Sequence, residues 1–304
     1  MLRRDREEAR LAALHAALER VRAACDVPRR LAADPVSVVH RYDDPLDREI
    51  VALVASSLAF GNVKAFRAKI DDALDRIGPD VARACDDPAR VARALRGWRH
   101  RVYDGEVLAK LVVGARAVQR EHGSLGAALA RDLDAPHGEL RGALAAWTTR
   151  IRRAGGLDAK QKPKRSGAAP KAGAAHILAD PLKGSAAKRL LLLLRWMCRP
   201  ADGIDLGAWP IDPARLLVPV DTHIHRLGNN LGLTRRRDLS WRTAEEITRA
   251  LARFDPTDPV KYDFSLCHLG MLQHCPSRRD EARCHGCGIQ SVCRHWQRGG
   301  ASQL

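Results

Sequence analysis

Leucine, alanine and valine return every three or four residues along nearly the whole chain, and stretches in which Val, Ile and Thr alternate with polar residues are missing. That spacing lines one face of a helix, so the pattern predicts an all-α fold. A first helix is expected over residues 7–24, after which Pro28 and Pro35 interrupt the pattern. A second begins near Asp47, carries Ile50, Val51, Val54, Leu58 and Ala59, and ends at Gly61-Asn62. More helices follow over 64–77, 88–95, 105–122, 125–133 and 137–152.

Between residues 155 and 175 the pattern gives way to Gly, Ala, Pro and Lys, with Lys160, Lys162, Lys164, Arg165 and Lys171 in the stretch. Too little apolar surface is available there to offset the entropy of ordering, which predicts a mobile, solvated basic loop. Ser185 is then expected to cap a helix built on the leucine run 190–194 and continuing through Trp196 and Met197 to near Pro200. A run with no polar face predicts a central, buried helix. Extended sequence leads to Pro219, followed by a helix from Asp221 through His223 to about Leu231. The last long helix is expected to be capped by Asp258, with Pro259 as its first residue, and to run through Leu266 to about Gln273.

Charge narrows the classes of function. The 304 residues hold 52 Lys and Arg against 36 Asp and Glu, a formal charge of +16. An excess of that size favours a polyanionic partner, because each neutralised phosphate releases condensed counterions. A genome that uses Arg codons freely would give a similar excess. Residues 1–22 alternate charge with Ala and Leu, unlike a signal peptide, and no stretch approaches the roughly 20 apolar residues of a membrane span. A cytoplasmic, nucleoid-associated protein with no membrane partner is expected.

In a reducing compartment clustered cysteines point to metal rather than disulfides. Cys275, Cys284, Cys287 and Cys293 follow one another as C-x8-C-x2-C-x5-C. Four thiolates at such separations suffice for a 4Fe-4S cluster. Zinc is the alternative, with His274, His285 or His295 able to replace a cysteine, although zinc sites more often use two paired-cysteine knuckles. Cys25, Cys85, Cys198 and Cys267 are isolated and read as small buried hydrophobes.

Two segments carry a resemblance. Residues 261–293, KYDFSLCHLGMLQHCPSRRDEARCHGCGIQSVC, resemble the C-terminal end of endonuclease III and its relatives, where a helix leads straight into the first cysteine. The first gap is two residues longer here, and the other two spacings agree. Val220-Asp221-Thr222-His223-Ile224-His225-Arg226 resembles the segment that carries the catalytic aspartate of the same helix-hairpin-helix DNA glycosylase superfamily. The Gly-rich hairpin that precedes the catalytic lysine in that superfamily is absent. Its nearest analogue is residues 180–189, DPLKGSAAKR, whose longer separation from Asp221 resembles the archaeal 8-oxoguanine glycosylases. The SAAKRLLLLLRWM and DPVKYDF segments also resemble an uncharacterised bacterial family related to these enzymes.

The resemblance implies a two-lobed helical fold, with residues 46–175 forming one lobe and 1–45 with 176–304 the other. It implies a monomer that excises a damaged base, an oxidised purine such as 8-oxoguanine, from duplex DNA. Lys188 would attack C1′ of the sugar, helped toward the free amine by a helix N-terminus and by Arg189, with Lys183 as the fallback nucleophile. Asp221 would stabilise the positive sugar and shuttle protons while capping the helix that follows. Arg278, Arg279 and Arg283, with Lys183, Arg189 and His223, would meet the DNA backbone, and His225 is a further candidate contact. Arg226 would pair with a core acid. Ser57, Asn62 and Lys64 occupy the region of the family's base pocket, and Asp263 is a further pocket candidate. Trp196 and Trp209 read as core. A noncatalytic nucleic-acid-binding protein on the same scaffold, and an RNA- or nucleoside-directed glycosidase, are the alternatives.

Overall fold

Helix starts are set by short polar side chains that cap the first free N–H groups. Asp44 accepts from Leu46 and Asp47, both at 2.9 Å, and Pro45 is the first residue of helix Pro45–Leu58. Asn62, Asp104, Ser124 and Ser240 cap Val63–Ile77, Gly105–His122, Leu125–Asp134 and Trp241–Leu251 in the same way. In the computed structural model, which describes residues 2–135, 138–158 and 174–297, the chain is mainly helical. Among the described residues the strands are Arg99–His100 and Tyr103–Asp104, paired antiparallel.

The predicted basic loop lies, from residue 159 to 173, outside the described residues, and its lysines with it. The helix expected over 137–152 is Leu140–Ala154, and the first helix is Leu2–Ala23. Three expectations change. The helix on the leucine run begins at Lys188, because Gly184 and Ala187 both take left-handed φ values, 84° and 49°, and turn the chain before it can wind. Ser185 accepts from the Ala187 N–H at 3.0 Å instead of capping the helix. The helix expected from Pro259 begins at Asp263, since Asp258 is drawn into an ion pair with Arg199. Helix Trp241–Leu251 lies where no helix was expected.

Helix Pro45–Leu58 runs through the core, with every side chain from Glu49 to Leu58 buried. It packs on Lys188–Cys198, whose leucines are buried apart from the half-buried Leu192, and on Val63–Ile77 and Gly105–His122. The deeper of its two buried acids, Glu49, accepts from Gln119, Leu125 N, Gly126 N and Trp209 Nε1 at 2.7–3.0 Å, so the carboxylate sits at the positive end of helix Leu125–Asp134. Gly105–His122 crosses Leu140–Ala154 at Gly114, where a Cβ would come 2.3 Å from the Ile151 carbonyl. Trp196 and Trp209 are buried, as read from the sequence.

Helix Thr222–Leu231 packs on Asp263–Leu272, and Leu2–Ala23 covers the latter from outside. Glu19 fastens this cover by accepting from Tyr262 Oη at 2.7 Å and pairing with Lys261 at 3.1 Å. Partial burial opposes ionisation of Glu19, but hydrogen bonds from Tyr262, Lys261 and Arg22 prevail and hold its carboxyl at about 2 instead of 4.5. A carboxyl depressed on folding contributes stability above its unfolded pKa and loses it as the pH falls through the folded one. Glu19→Gln is therefore expected to flatten the loss of stability between pH 4.5 and about 2. Urea midpoints measured across that window check this, and parallel curves for the two proteins would refute it.

Candidate active site

A cavity of about 1010 Å³ is lined mainly by five stretches of chain. Arg29, Arg30 and Asp34 form one wall, Ser57, Phe60 and Lys64 a second, and the start of helix Lys188–Cys198 a third. Residues 219–223 and one face of helix Asp263–Leu272 complete it. Lys188 and Asp221, singled out from two separate segments, both line it, as do Ser57, Lys64, His223 and Asp263.

Asp221 has two distinct oxygens. Oδ1 accepts the His223 and Ile224 N–H groups at 2.9 and 2.8 Å, fixing the carboxylate as the cap of helix Thr222–Leu231. Oδ2 lies 3.7 Å from the Cys267 thiol. Lys188 is the first residue of its helix, half-buried, and among the described residues it makes no hydrogen bond or ion pair. Cys267 sits within the fields of both: burial pushes its thiol far up, Asp221 and Asp263 push it further, and Lys188 pulls the other way. It therefore stays protonated and can donate to Asp221.

Cys267, read from the sequence as a small hydrophobe, is the residue the sequence did not single out. It lies one helical turn after Asp263, so both fall on the cavity face of one helix.

A chain of buried charges runs from the cavity wall into the core. Arg195, 3 % exposed, donates from Nε to Asp205 at 3.2 Å and from Nη1 to Asp263 at 2.6 Å. Arg199 also pairs with Asp205, and with Asp258 at 2.8 Å. Burial pushes the Asp263 carboxyl up to about 6, against the pull of Arg195.

The other candidates fall elsewhere. Asn62 is a helix cap, its Oδ1 taking the Ala65 N–H at 3.1 Å, and is not part of the cavity wall. Arg189 lines the cavity but spends its donors inward, on the carbonyls of Ser57 and His176 and on Tyr103 Oη, with its guanidinium over Phe60 at 5.3 Å. In this structure it ties the start of its helix to helix Pro45–Leu58 and to Tyr103. Lys183 is exposed in the turn Pro181–Lys183, outside the cavity wall. Arg226 donates to the Cys275 carbonyl, not to a core acid, and His225 meets the Arg236 carbonyl at 2.9 Å. Arg278, Arg279 and Arg283 are exposed. Arg279 lies over Trp296 at 4.1 Å and pairs with Glu281, and Arg283 pairs with Asp280.

Cys275, Cys284, Cys287 and Cys293 line one small cavity together with Asn230, His295 and Trp296. Asn230 Nδ2 donates to Cys275 Sγ at 3.3 Å, and burial pushes that thiol up to about 11. Two buried nitrogens of the lining residues, His295 Nε2 and Trp296 Nε1, have no hydrogen-bond partner. Among the described residues no three His, Cys, Asp or Glu side chains gather into a site for a single metal ion. No described helix is long and apolar enough to cross a membrane.

No curated protein and no solved structure matches the chain. The model of a family described as "protein of unknown function (DUF2400)" matches residues 34–272, a span that holds Lys188, Asp221, Asp263 and Cys267 and stops short of the cysteine loop. Since that match covers well over half of the 304 residues, the chain belongs to the DUF2400 family.

Proposed function

We propose that the protein is a DNA glycosylase with AP-lyase activity in base-excision repair, acting on an oxidised purine such as 8-oxoguanine. The observation that carries the reading is the convergence of Lys188 and Asp221, distant in sequence, on one cavity of about 1010 Å³, room for a single nucleotide. The formal charge of +16 favours a nucleic-acid partner, which this reading takes to be duplex DNA. The likeness of 220–226 and 261–293 to the helix-hairpin-helix glycosylases belongs to the same proposal, as do a monomeric state and a cytoplasmic, nucleoid-associated location. So does the two-lobed division, supported by the cavity drawing Ser57, Phe60 and Lys64 from one proposed lobe and Lys188, Asp221 and Asp263 from the other.

A base inside a duplex is out of reach, so the damaged nucleotide is extruded into the cavity at a cost of a few kcal/mol. The Lys188 amine attacks C1′, the bond from C1′ to the base nitrogen breaks, and its electron pair leaves with the base, which takes up a proton. Asp221, held by its capping oxygen, offers Oδ2 to the positive sugar and accepts the proton lost by Lys188. Ring opening gives a Schiff base, and β-elimination then breaks the C3′–O bond. Borohydride with duplexes bearing 8-oxoguanine, uracil, thymine glycol or an abasic site tests this reading. A covalent adduct on the 8-oxoguanine duplex is expected, and its absence on every duplex would refute the lysine chemistry.

Cys275, Cys284, Cys287 and Cys293 would hold a 4Fe-4S cluster. Zinc sites more often use two paired-cysteine knuckles, whereas only Cys284 and Cys287 form such a pair here, and four thiolates suffice for a four-iron cluster. The four thiols line one small cavity together. The unpartnered His295 Nε2 and Trp296 Nε1 beside the thiols support it further, since cluster sulfides accept N–H donors. Cys275 and Cys284 flank the segment that carries Arg278, Arg279 and Arg283, so holding a cluster there would tie both ends of that segment and fix it for backbone contacts. Freshly purified protein is expected to be brown, with broad absorption near about 400 nm that Cys287→Ser removes. A colourless protein carrying one zinc would overturn this assignment.

A further inference from the structure

Three cations on the cavity wall have no task in the fold. Arg29 and Arg30, on helix Val27–Ala33, and Lys64, in the first turn of helix Val63–Ile77, all line the cavity, and Arg29 and Lys64 are exposed. Among the described residues none of the three side chains makes a hydrogen bond or ion pair. Arg67 ties the two helices by donating to the Ala32 carbonyl, and Lys64 and Arg29 each lie one turn before a member of that contact. Helix Val27–Ala33 holds no acid, and its cap Asp26 accepts the Arg29 N–H. On the neighbouring helix the first acids are Asp71, which pairs with Arg41, and Asp72, which pairs with Lys69 and Arg76. Asp34 is the acid beside them in the cavity wall, its Oδ1 on the Val36 N–H at 3.0 Å, and one carboxylate against three cations leaves this lip positive. Arg279 and Arg283 of the cysteine segment are, by contrast, taken up by Glu281 and Asp280. Neighbouring like charges repel one another and a neutral base offers them no partner, whereas a chain of phosphates offers one to each.

Resting on the reading of the cavity as a nucleotide pocket, we propose that Arg29, Arg30 and Lys64 form a lip that grips the phosphodiesters flanking the extruded nucleotide. A nucleotide turned out of a strand stays joined to it on both sides, so its 5′ and 3′ phosphates remain at the cavity mouth while the base enters. Exposed cations suit that position. They stay hydrated until the backbone arrives, and then release its condensed counterions. Arg29 and Arg30 each offer a phosphate a forked pair of donors, and Lys64 offers a point charge. These contacts carry no base preference. They select the form in which the target arrives, a residue within a strand and not a free nucleoside.

The test is binding of the full-length protein, across a range of salt concentrations, to a DNA duplex carrying one tetrahydrofuran abasic analogue, which offers Lys188 no leaving group. The triple variant Arg29→Gln, Arg30→Gln, Lys64→Gln is expected to lower the slope of log K against log salt by about 2 to 3, and the affinity by about tenfold or more. Gln keeps the helix propensity of these positions, and an unchanged melting temperature is expected. A charge-matched control, Arg83→Gln, Arg90→Gln, Arg93→Gln, removes three exposed cations outside the cavity wall and is expected to change the slope by less than about 1. Neutral methylphosphonates in place of the two phosphates beside the analogue are expected to weaken wild-type binding and to leave the triple variant almost unaffected, because the same contacts are already gone. Equal losses in the lip and control variants, methylphosphonate losses that simply add to those of the lip variant, or no duplex binding would each overturn the inference. Tighter binding of the same sequence as an RNA duplex, with the same dependence on the lip, would keep the lip and assign it to RNA. The outcome separates from that of the lysine chemistry. A lip-dependent slope without a borohydride adduct on any duplex removes the role of Lys188 and keeps the grip. An adduct together with an unchanged slope does the reverse.

Discussion

Lys188→Gln is expected to abolish the borohydride adduct and to lower excision from an 8-oxoguanine duplex by on the order of 10³-fold or more, because the nucleophile is removed and not merely detuned. The substitution is mild for the fold. Lys188 is half-buried and makes no hydrogen bond or ion pair among the described residues, and Gln keeps most of its length and its helix propensity. DNA binding is expected to persist, since one cation among 52 Lys and Arg is lost. Asp221→Asn complements it. Asn caps a helix about as well as Asp, so the bonds to His223 and Ile224 survive while the charge at Oδ2 disappears. Its expected effect is a loss of about 10² to 10⁴ in excision, with an unchanged melting temperature. Asp221→Ala would confuse the two roles by also costing about 1 kcal/mol of capping. Gel-resolved excision and trapping on one duplex panel read both variants. Wild-type rates in Lys188→Gln and Asp221→Asn together would remove the site.

How far these positions could be read from the sequence depends on how local their determinants are. The Asp221 cap was legible because the cap and the N–H groups it satisfies lie within three residues. The buried leucine helix was legible from composition alone, but its start was not. Ser185 looks like a cap, and nothing in a polar–apolar pattern reveals that Ala187 adopts a left-handed φ. Lys188 is therefore the first helical residue and not the third. Helix Trp241–Leu251 did leave a signal, since Ser240 precedes Trp241, Ala244, Ile247 and Leu251 at helical spacing. The Arg195 network could not be read at all: its acids come from positions 205 and 263, and only the fold makes them neighbours. Cys267 acquires meaning for the same reason, through Asp221 on another helix.

Arg195→Met is expected to cost about 3–5 kcal/mol of stability, the penalty for stranding charge in a core. Burial opposes the charge of Arg195, but Asp205 and Asp263 together keep it protonated, and both lie at or below 3 % exposure. Without it Asp205 keeps Arg199, whereas Asp263 keeps no cation and must take up a proton or drag water into the floor of the cavity. Guanidinium denaturation at pH 7 reads the loss, and a change below about 1 kcal/mol would show that the network is not a buried ion chain. The double variant Arg195→Met, Asp263→Leu removes both members and is expected to recover much of the loss, because an apolar pair of similar volume satisfies a core as well as an ion pair does.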